Sequence, residues 1–288
     1  MSMHEILPPE ILTAAEAAWG QAQEGQVHTG KNIGSTAIFG ALDGAVREAR
    51  EESGVGFGAL EGITDLEIKK LFERDIKDYK AIFAGAGIDM PTPAEFAQGG
   101  IDFRHLAELK EEQPDYDLVV TPLTLPLGAT CQFVSKAYEP EPNLKSTRYA
   151  HRLSVDDEVA DHWKDIMKGT MNNWQLPVVG DNKWTAFMLF NREQPQDRGL
   201  SYNQTKQLKA IVPVVGYAAY QMHRVRQGMP PVDTGDVNSW VASEFSINYH
   251  PHALYIGWNN PDSDRLMAIR GCHASLRMED VGSRAMVA

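Results

Sequence analysis

Cysteine is nearly missing from this chain: Cys131 and Cys272 are the two present in 288 residues. Two thiols so widely separated do not make a disulfide framework, and the expected setting is a reducing cytoplasm. Basic charge is in deficit as well. The net charge of −12 argues against a broad duplex-binding face, because phosphate contacts need clustered Lys and Arg. Nucleic acid is therefore not an expected partner, and anionic membranes are disfavoured for the same reason. No apolar run reaches the ~18 residues of a membrane-spanning helix. The first 25 residues carry no continuous apolar core behind a basic start, so no secretory signal is expected. Internal repeats and low-complexity tracts are also missing.

What is present is globular in character, with 43% apolar and 23% charged residues. Residues 1–115 read as mostly helical. Helices are expected over about 10–23 and 40–53, then from Thr64-Asp65-Leu66-Glu67, which reads as a capping box. Beyond it, Ile68, Phe72, Ile76, Tyr79 and Phe83 recur at steps of four and three, which makes one buried face. Thr92-Pro93-Ala94-Glu95 repeats the box with Pro at the first helical position, and another helix is expected over about 103–112.

The character changes at Tyr116. Tyr116 to Thr121 reads as a buried strand. Residues 138–147 read as a connecting loop, and Ser154 as the cap of a helix to about Lys168. Trp174–Val179 and Trp184–Phe190, joined by Gly180-Asp181-Asn182-Lys183, read as a hairpin. Ser201 with Gln204 starts a long helix to about Arg226, broken or kinked at Pro213. Gly228, Pro230 and Pro231 read as a linker. Strands close the chain at about 253–258 and 265–270, followed by a frayed tail. The fold class is α+β: a helical region, 1–115, then a mixed or antiparallel sheet region with a long helix, 116–288. One continuous core and two cores both fit this pattern.

The first chemical candidate is Arg47-Glu48-Ala49-Arg50-Glu51-Glu52-Ser53-Gly54-Val55. On a helix, Glu48, Glu51 and Glu52 stand at i, i+3 and i+4, so their carboxylates share one face. Such a face suits a hard cation such as Mg²⁺. The run resembles the second half of a Nudix box. The resemblance implies a metal-dependent hydrolase of nucleoside-diphosphate-linked substrates. Arg47 would brace the glutamates, and Glu48, Glu51 and Glu52 would supply the metal-binding and catalytic roles. The first half of the box is not matched: Ile33 and Phe39 stand where the family pattern has Gly and Glu. A second phosphate-loop lookalike, Gly25 to Asn32, ends in Asn where the loop needs a hydroxyl, and helix rather than strand precedes it.

The second candidate is a histidine corner. If the last two strands pair symmetrically about a loop at 259–264, His250 faces His273 and His252 faces Gly271. Residues two apart share a face, so His250, His252 and His273 gather on one side. Three imidazoles suit Zn²⁺ or a similar transition metal. The nucleophile candidates are weaker. Cys131 lies in no glycine elbow, and Ser201 is better placed as a helix cap.

Residues 174–226 run strand, turn, strand, polar loop and amphipathic helix. With Asn191-Arg192-Glu193 and Ser201-Tyr202-Asn203-Gln204, this order loosely resembles the end of a GAF-type or autoinducer-binding sensor domain. The resemblance implies a small-molecule pocket, with Trp174, Trp184, Phe187 and Phe190 as candidate walls. Since no catalytic constellation is complete, the leading expectation is a non-catalytic protein that binds a small molecule or a protein partner. The divergent Mg²⁺-dependent hydrolase comes second, and a metalloprotein using the histidine corner third.

Overall fold

The structure, a computed structural model, describes residues 59–136, 152–191, 198–208, 211–229, 232, 238–247, 249–258, 266–284 and 286–287. The chain divides into two compact units, Met1–Glu61 with Thr92–Ala94, and Gly62–Pro91 with Glu95–Ala288. Of the first, only residues 59–61 and 92–94 are described. The second is an α+β unit, as the sequence pattern predicts.

The described elements follow in chain order: α1 (Leu66–Ala84), α2 (Pro93–Gln98), α3 (Phe103–Glu112), β1 (Tyr116–Pro122), α4 (Leu127–Lys136), β2 (Arg152–Val155), α5 (Asp157–Asp161), α6 (Trp163–Asn173), β3 (Trp184–Phe190), α7 (Tyr202–Leu208), α8 (Val214–Arg226), β4 (Asn238–Ile247), β5 (His250–Trp258), β6 (Leu266–His273), β7 (Val281–Gly282) and β8 (Met286–Val287). They build two sheets. One is three-stranded, in the order β1-β3-β8. The other is five-stranded, in the order β2-β6-β5-β4-β7.

The three-stranded sheet is packed by helices. Residues 118–121 of β1 and 184–189 of β3 are buried, which matches their near-continuous apolar sequences. β1 and β3 pair antiparallel from Tyr116↔Phe190 to Pro122↔Trp184. Helix α1 buries Phe72, Ile76, Tyr79 and Phe83, which is most of the predicted stripe. The Tyr79 hydroxyl donates to the Leu118 carbonyl at 3.1 Å, tying α1 to β1. Phe83 meets the Trp184 ring edge-on with centroids 4.8 Å apart. Helix α8 comes close to the sheet at Gly216, where an added Cβ would stand 3.0 Å from Thr121 and 3.4 Å from Phe187.

The five-stranded sheet has two covered faces. On one, Leu254 and Ile256 of β5 are fully buried, and Val159 of α5 packs over Gly271 of β6. On the other, Tyr202 of α7 joins Trp240, Ala253, Ala274 and Val281 in a core cluster. The register of β4 against β5 shifts between Val241 and Glu244. This bulge is held in place: the Ala242 N–H donates to Val212 O at 2.7 Å, and the Thr170 hydroxyl donates to Ala242 O at 3.0 Å. Past the bulge, Phe245 returns opposite His252.

Several expectations need correction. The cap of α1 is Asp65, not Thr64. Its carboxylate accepts from the N–H groups of Glu67 (2.8 Å) and Ile68 (3.0 Å). Ser154 lies in strand β2, and the helix assigned to it is two helices, α5 and α6, that begin later. Residues 174–178 form no strand. Only the bridge Val179↔Trp184 survives of the expected hairpin, and β3 pairs with β1 instead. Pro177 falls in that stretch and has no N–H for a ladder. The long helix to Arg226 is α7 and α8, with Pro213 as the N-cap of α8. The expected capping of α7 is seen: the Gln204 N–H donates to Ser201 Oγ, and the Ser201 N–H to Gln204 Oε1. The tail is not simply frayed, because β7 joins β4 and β8 joins β3. The helices expected at 10–23 and 40–53, the loop at 138–147 and the loop at 259–264 lie outside the described residues.

Candidate functional site

At one end of the five-stranded sheet, imidazoles gather. Antiparallel pairing of β5 with β6 places His252 directly opposite His273, with Ile256↔Ile269 and Trp258↔Met267 behind them. The register expected from sequence had His252 opposite Gly271, two residues away. A two-residue shift preserves the face of every side chain, so His250, His252 and His273 still share a side. The His273 ring centroid lies 6.1 Å from that of His250 and 6.0 Å from that of His252. The aromatic row continues across the sheet. His252 stands 5.6 Å from Phe245, and His162, between α5 and α6, stands 5.7 Å from Phe245 on the other side.

The hydrogen bonds set ring states. His252 Nδ1 lies 2.9 Å from the His250 carbonyl. A carbonyl only accepts, so Nδ1 carries the proton and Nε2 presents its lone pair in the neutral ring. His273 Nδ1 lies 2.7 Å from Ser275 Oγ and receives the Ser275 N–H at 3.3 Å, which makes it an acceptor. Among the described residues, no group of three or more His, Cys, Asp or Glu side chains is placed so that it could hold a metal ion.

Beside this cluster, β4 and β5 join through two residues between Ile247 and His250. The second of them, Tyr249, has φ +69° and its side chain is fully exposed, at 101%. A two-residue hairpin normally puts glycine at such a position. Lys183 is the other non-glycine residue with positive φ among those described. Its conformation is repaid locally, since its carbonyl accepts from Leu123 N–H at 3.1 Å. Leu276, also exposed, lies on the turn that follows β6, at the same end of the sheet.

A second polar cluster was not foreseen from sequence. It joins α1 to α8. His223 is 3% exposed and lies between two carboxylates. Its Nδ1 is 2.6 Å from Asp78 and its Nε2 is 3.4 Å from Asp75. Its ring stacks on Tyr79 with centroids 4.7 Å apart. Arg226 Nε donates to Asp78 at 2.8 Å, and Arg74 pairs with Asp75 at 2.7 Å. Burial opposes the His223 charge, but the hydrogen bonds and charges of Asp75 and Asp78 outweigh it and raise the pKa. Burial likewise opposes the Asp78 charge, and contacts with His223 and Arg226 outweigh it and lower the pKa. With both ring nitrogens occupied and almost no exposure, His223 is an interhelical bridge rather than a catalytic base. The sequence held one sign of it: Asp75 interrupts the apolar stripe of α1 between Phe72 and Ile76.

One helical turn earlier on α8, Tyr220 donates to Asp117 Oδ2 of β1 at 2.8 Å. Asn191 donates to the same oxygen at 3.1 Å. Lys110 reaches Asp117 Oδ1 at 3.4 Å, and Arg224 reaches Oδ2 at 3.5 Å. One carboxylate thus holds β1, α3 and α8 to the end of β3. Burial, with the Asp117 charge, keeps the Tyr220 hydroxyl protonated well above its ordinary range.

The remaining candidates fall as follows. Trp184 and Phe187 are buried in the core. Trp174 packs on Phe187 at 5.9 Å, and Phe190 on Tyr116 at 5.4 Å. Cys131 and Cys272 are free thiols, and burial pushes Cys272 up to about 11. Arg47, Glu48, Glu51 and Glu52 lie outside the described residues. No helix among the described residues is long and apolar enough to cross a membrane. No family model matches the chain, and no curated protein or solved structure is significantly similar to it.

Proposed function

We propose that this chain is a non-catalytic binding protein that docks a protein partner through the β4–β5 hairpin end. The observation that carries the reading is Tyr249: φ is +69° and exposure is 101%. A left-handed conformation costs an L-residue about 1–2 kcal/mol. A fully exposed ring recovers none of that through packing within the chain. Strain of this kind clusters at active sites, ligand clamps and switch regions, where it is part of the mechanism.

The shape favours a macromolecule over a small ligand. Small-molecule sites are concave, whereas Tyr249 projects from the end of a hairpin. A projecting tyrosine is the kind of anchor that fills a pocket on a partner, and tyrosine is enriched among residues that dominate interface energies. His250 adds polar contact area beside it.

The test starts with a photo-crosslinking amino acid at position 249 of the full chain, in the cells that make it. The captured protein is identified, purified and titrated against the wild type and Tyr249→Ala. The reading predicts saturable binding that Tyr249→Ala weakens by about 30-fold, the factor for a ~2 kcal/mol anchor. Absence of an adduct, or equal binding by both chains, overturns it.

A further inference from the structure

The same sheet end carries a ligand chemistry of its own. We propose that His250, His252 and His273 take up one divalent transition-metal ion of the zinc class, each through one ring nitrogen. The proposal does not depend on a protein partner.

The framework comes from the strands. His250 and His252 are two apart on β5 and so project from one face. β6 supplies His273 opposite His252. Ring centroids stand 6.0 and 6.1 Å from His273. Tetrahedral Zn–N bonds of about 2.0–2.1 Å would bring the centroids to about 5 Å. The two pairs that include His273 must therefore close by about 1 Å. As they stand the three rings are not placed to hold an ion, so binding requires them to turn toward one another. His250 is exposed and the other two are half-exposed, so their side chains have room to turn.

The ring chemistry fits in two steps. His252 is already oriented: its Nδ1 proton is held by the His250 carbonyl at 2.9 Å, leaving Nε2 free to ligate. Metal-bound histidines commonly donate their second nitrogen to a carbonyl in this way. His273 must change tautomer. Ligation through Nε2 releases that proton to solvent, and Nδ1 takes one up from solvent and donates it to Ser275 Oγ, now 2.7 Å away, giving up the Ser275 N–H that it accepts at 3.3 Å. The net proton count of the ring is unchanged. Three neutral imidazoles favour zinc, nickel or copper over magnesium, and the fourth position is left to water.

The experiment is calorimetric titration of the full chain with zinc chloride at neutral pH, with magnesium chloride as the hard-cation control. Imidazole ¹⁵N shifts of the wild type are followed in parallel. The expected result is one zinc per chain, at least tenfold weaker binding in His252→Ala and in His273→Ala, and no such loss in His162→Ala. Ser275→Ala is expected to weaken binding by a smaller factor, because it removes the acceptor that orients His273. The ¹⁵N shifts of the three rings should move together on saturation, a readout independent of how the variants fold. No stoichiometric binding, binding untouched by both alanine variants, or silent imidazole shifts at saturation would each overturn the proposal.

Discussion

His223 Nδ1 lies 2.6 Å from Asp78 Oδ2, across 145 residues of sequence and between two helices. The contact closes a chain that runs from Arg226 through Asp78 and His223 to Asp75 and Arg74. Removing one partner of a buried ion pair leaves the other charge without compensation. His223→Ala is therefore expected to destabilise the fold by about 3 kcal/mol, since it also removes the stacking on Tyr79. Urea unfolding of the variant and the wild type at neutral pH measures the difference.

The same bridge sets a pH dependence with a definite sign. His223 has its pKa raised above 6.5, so its contribution is complete below that value and is lost as pH rises through the raised pKa. Asp78 has its pKa lowered below 3.8, so its contribution is complete above that value and is lost as pH falls through the lowered pKa. The stability difference between wild type and His223→Ala should therefore be largest between pH 3.8 and 6.5, and shrink on both sides. Unfolding curves at a series of pH values check both limbs.

Asp117 gathers donors from Lys110, Asn191, Tyr220 and Arg224. Asp117→Ala strands the Tyr220 hydroxyl in a buried site. The expected cost is about 2 kcal/mol, the scale of a hydrogen bond to a charged group. Asp117→Asn keeps the shape and an acceptor oxygen, so it should cost less. Thermal melts of the pair distinguish loss of the carboxylate charge from loss of the side chain.

Gly216 marks the closest approach of α8 to the three-stranded sheet. A Cβ there would meet Thr121 at 3.0 Å and Phe187 at 3.4 Å. Gly216→Leu is expected to cost about 3 kcal/mol by forcing α8 off the sheet. Gly216→Ala should be far milder, because better helix propensity offsets part of the crowding. A rank order in which leucine is no worse than alanine, read from unfolding midpoints, would show that the helix can retreat freely.

Periodicity made much of this fold readable. The stripe on α1 and the apolar run of β1 carried their positions directly, and Ser201 and Gln204 announced the start of α7. Strand β4 was hidden for a physical reason: the bulge between Val241 and Glu244 breaks the alternation by which a strand is recognised. β2 was hidden because Ser154, followed by acidic residues, mimics a helix cap. His250, His252 and His273 share a face despite the wrong register, since a two-residue slip keeps side chains on their face. The His223 bridge left almost no trace, because its partners meet only in the tertiary packing of α1 on α8. Tyr249 was invisible for a different reason: nothing in its identity discloses a positive φ.

Tyr249 offers a direct test of the proposal that strain at the hairpin is kept for binding. Tyr249→Gly removes the left-handed penalty and the anchor together. After the entropy cost of glycine, the expected gain is about 0.5–1 kcal/mol, a rise in Tm of roughly 1–3 °C. Affinity for the crosslinked partner should fall in the same variant. A Tm that rises while binding is lost is the predicted result. A Tm that falls, or binding that matches the wild type, would show that the strain at Tyr249 does not serve binding.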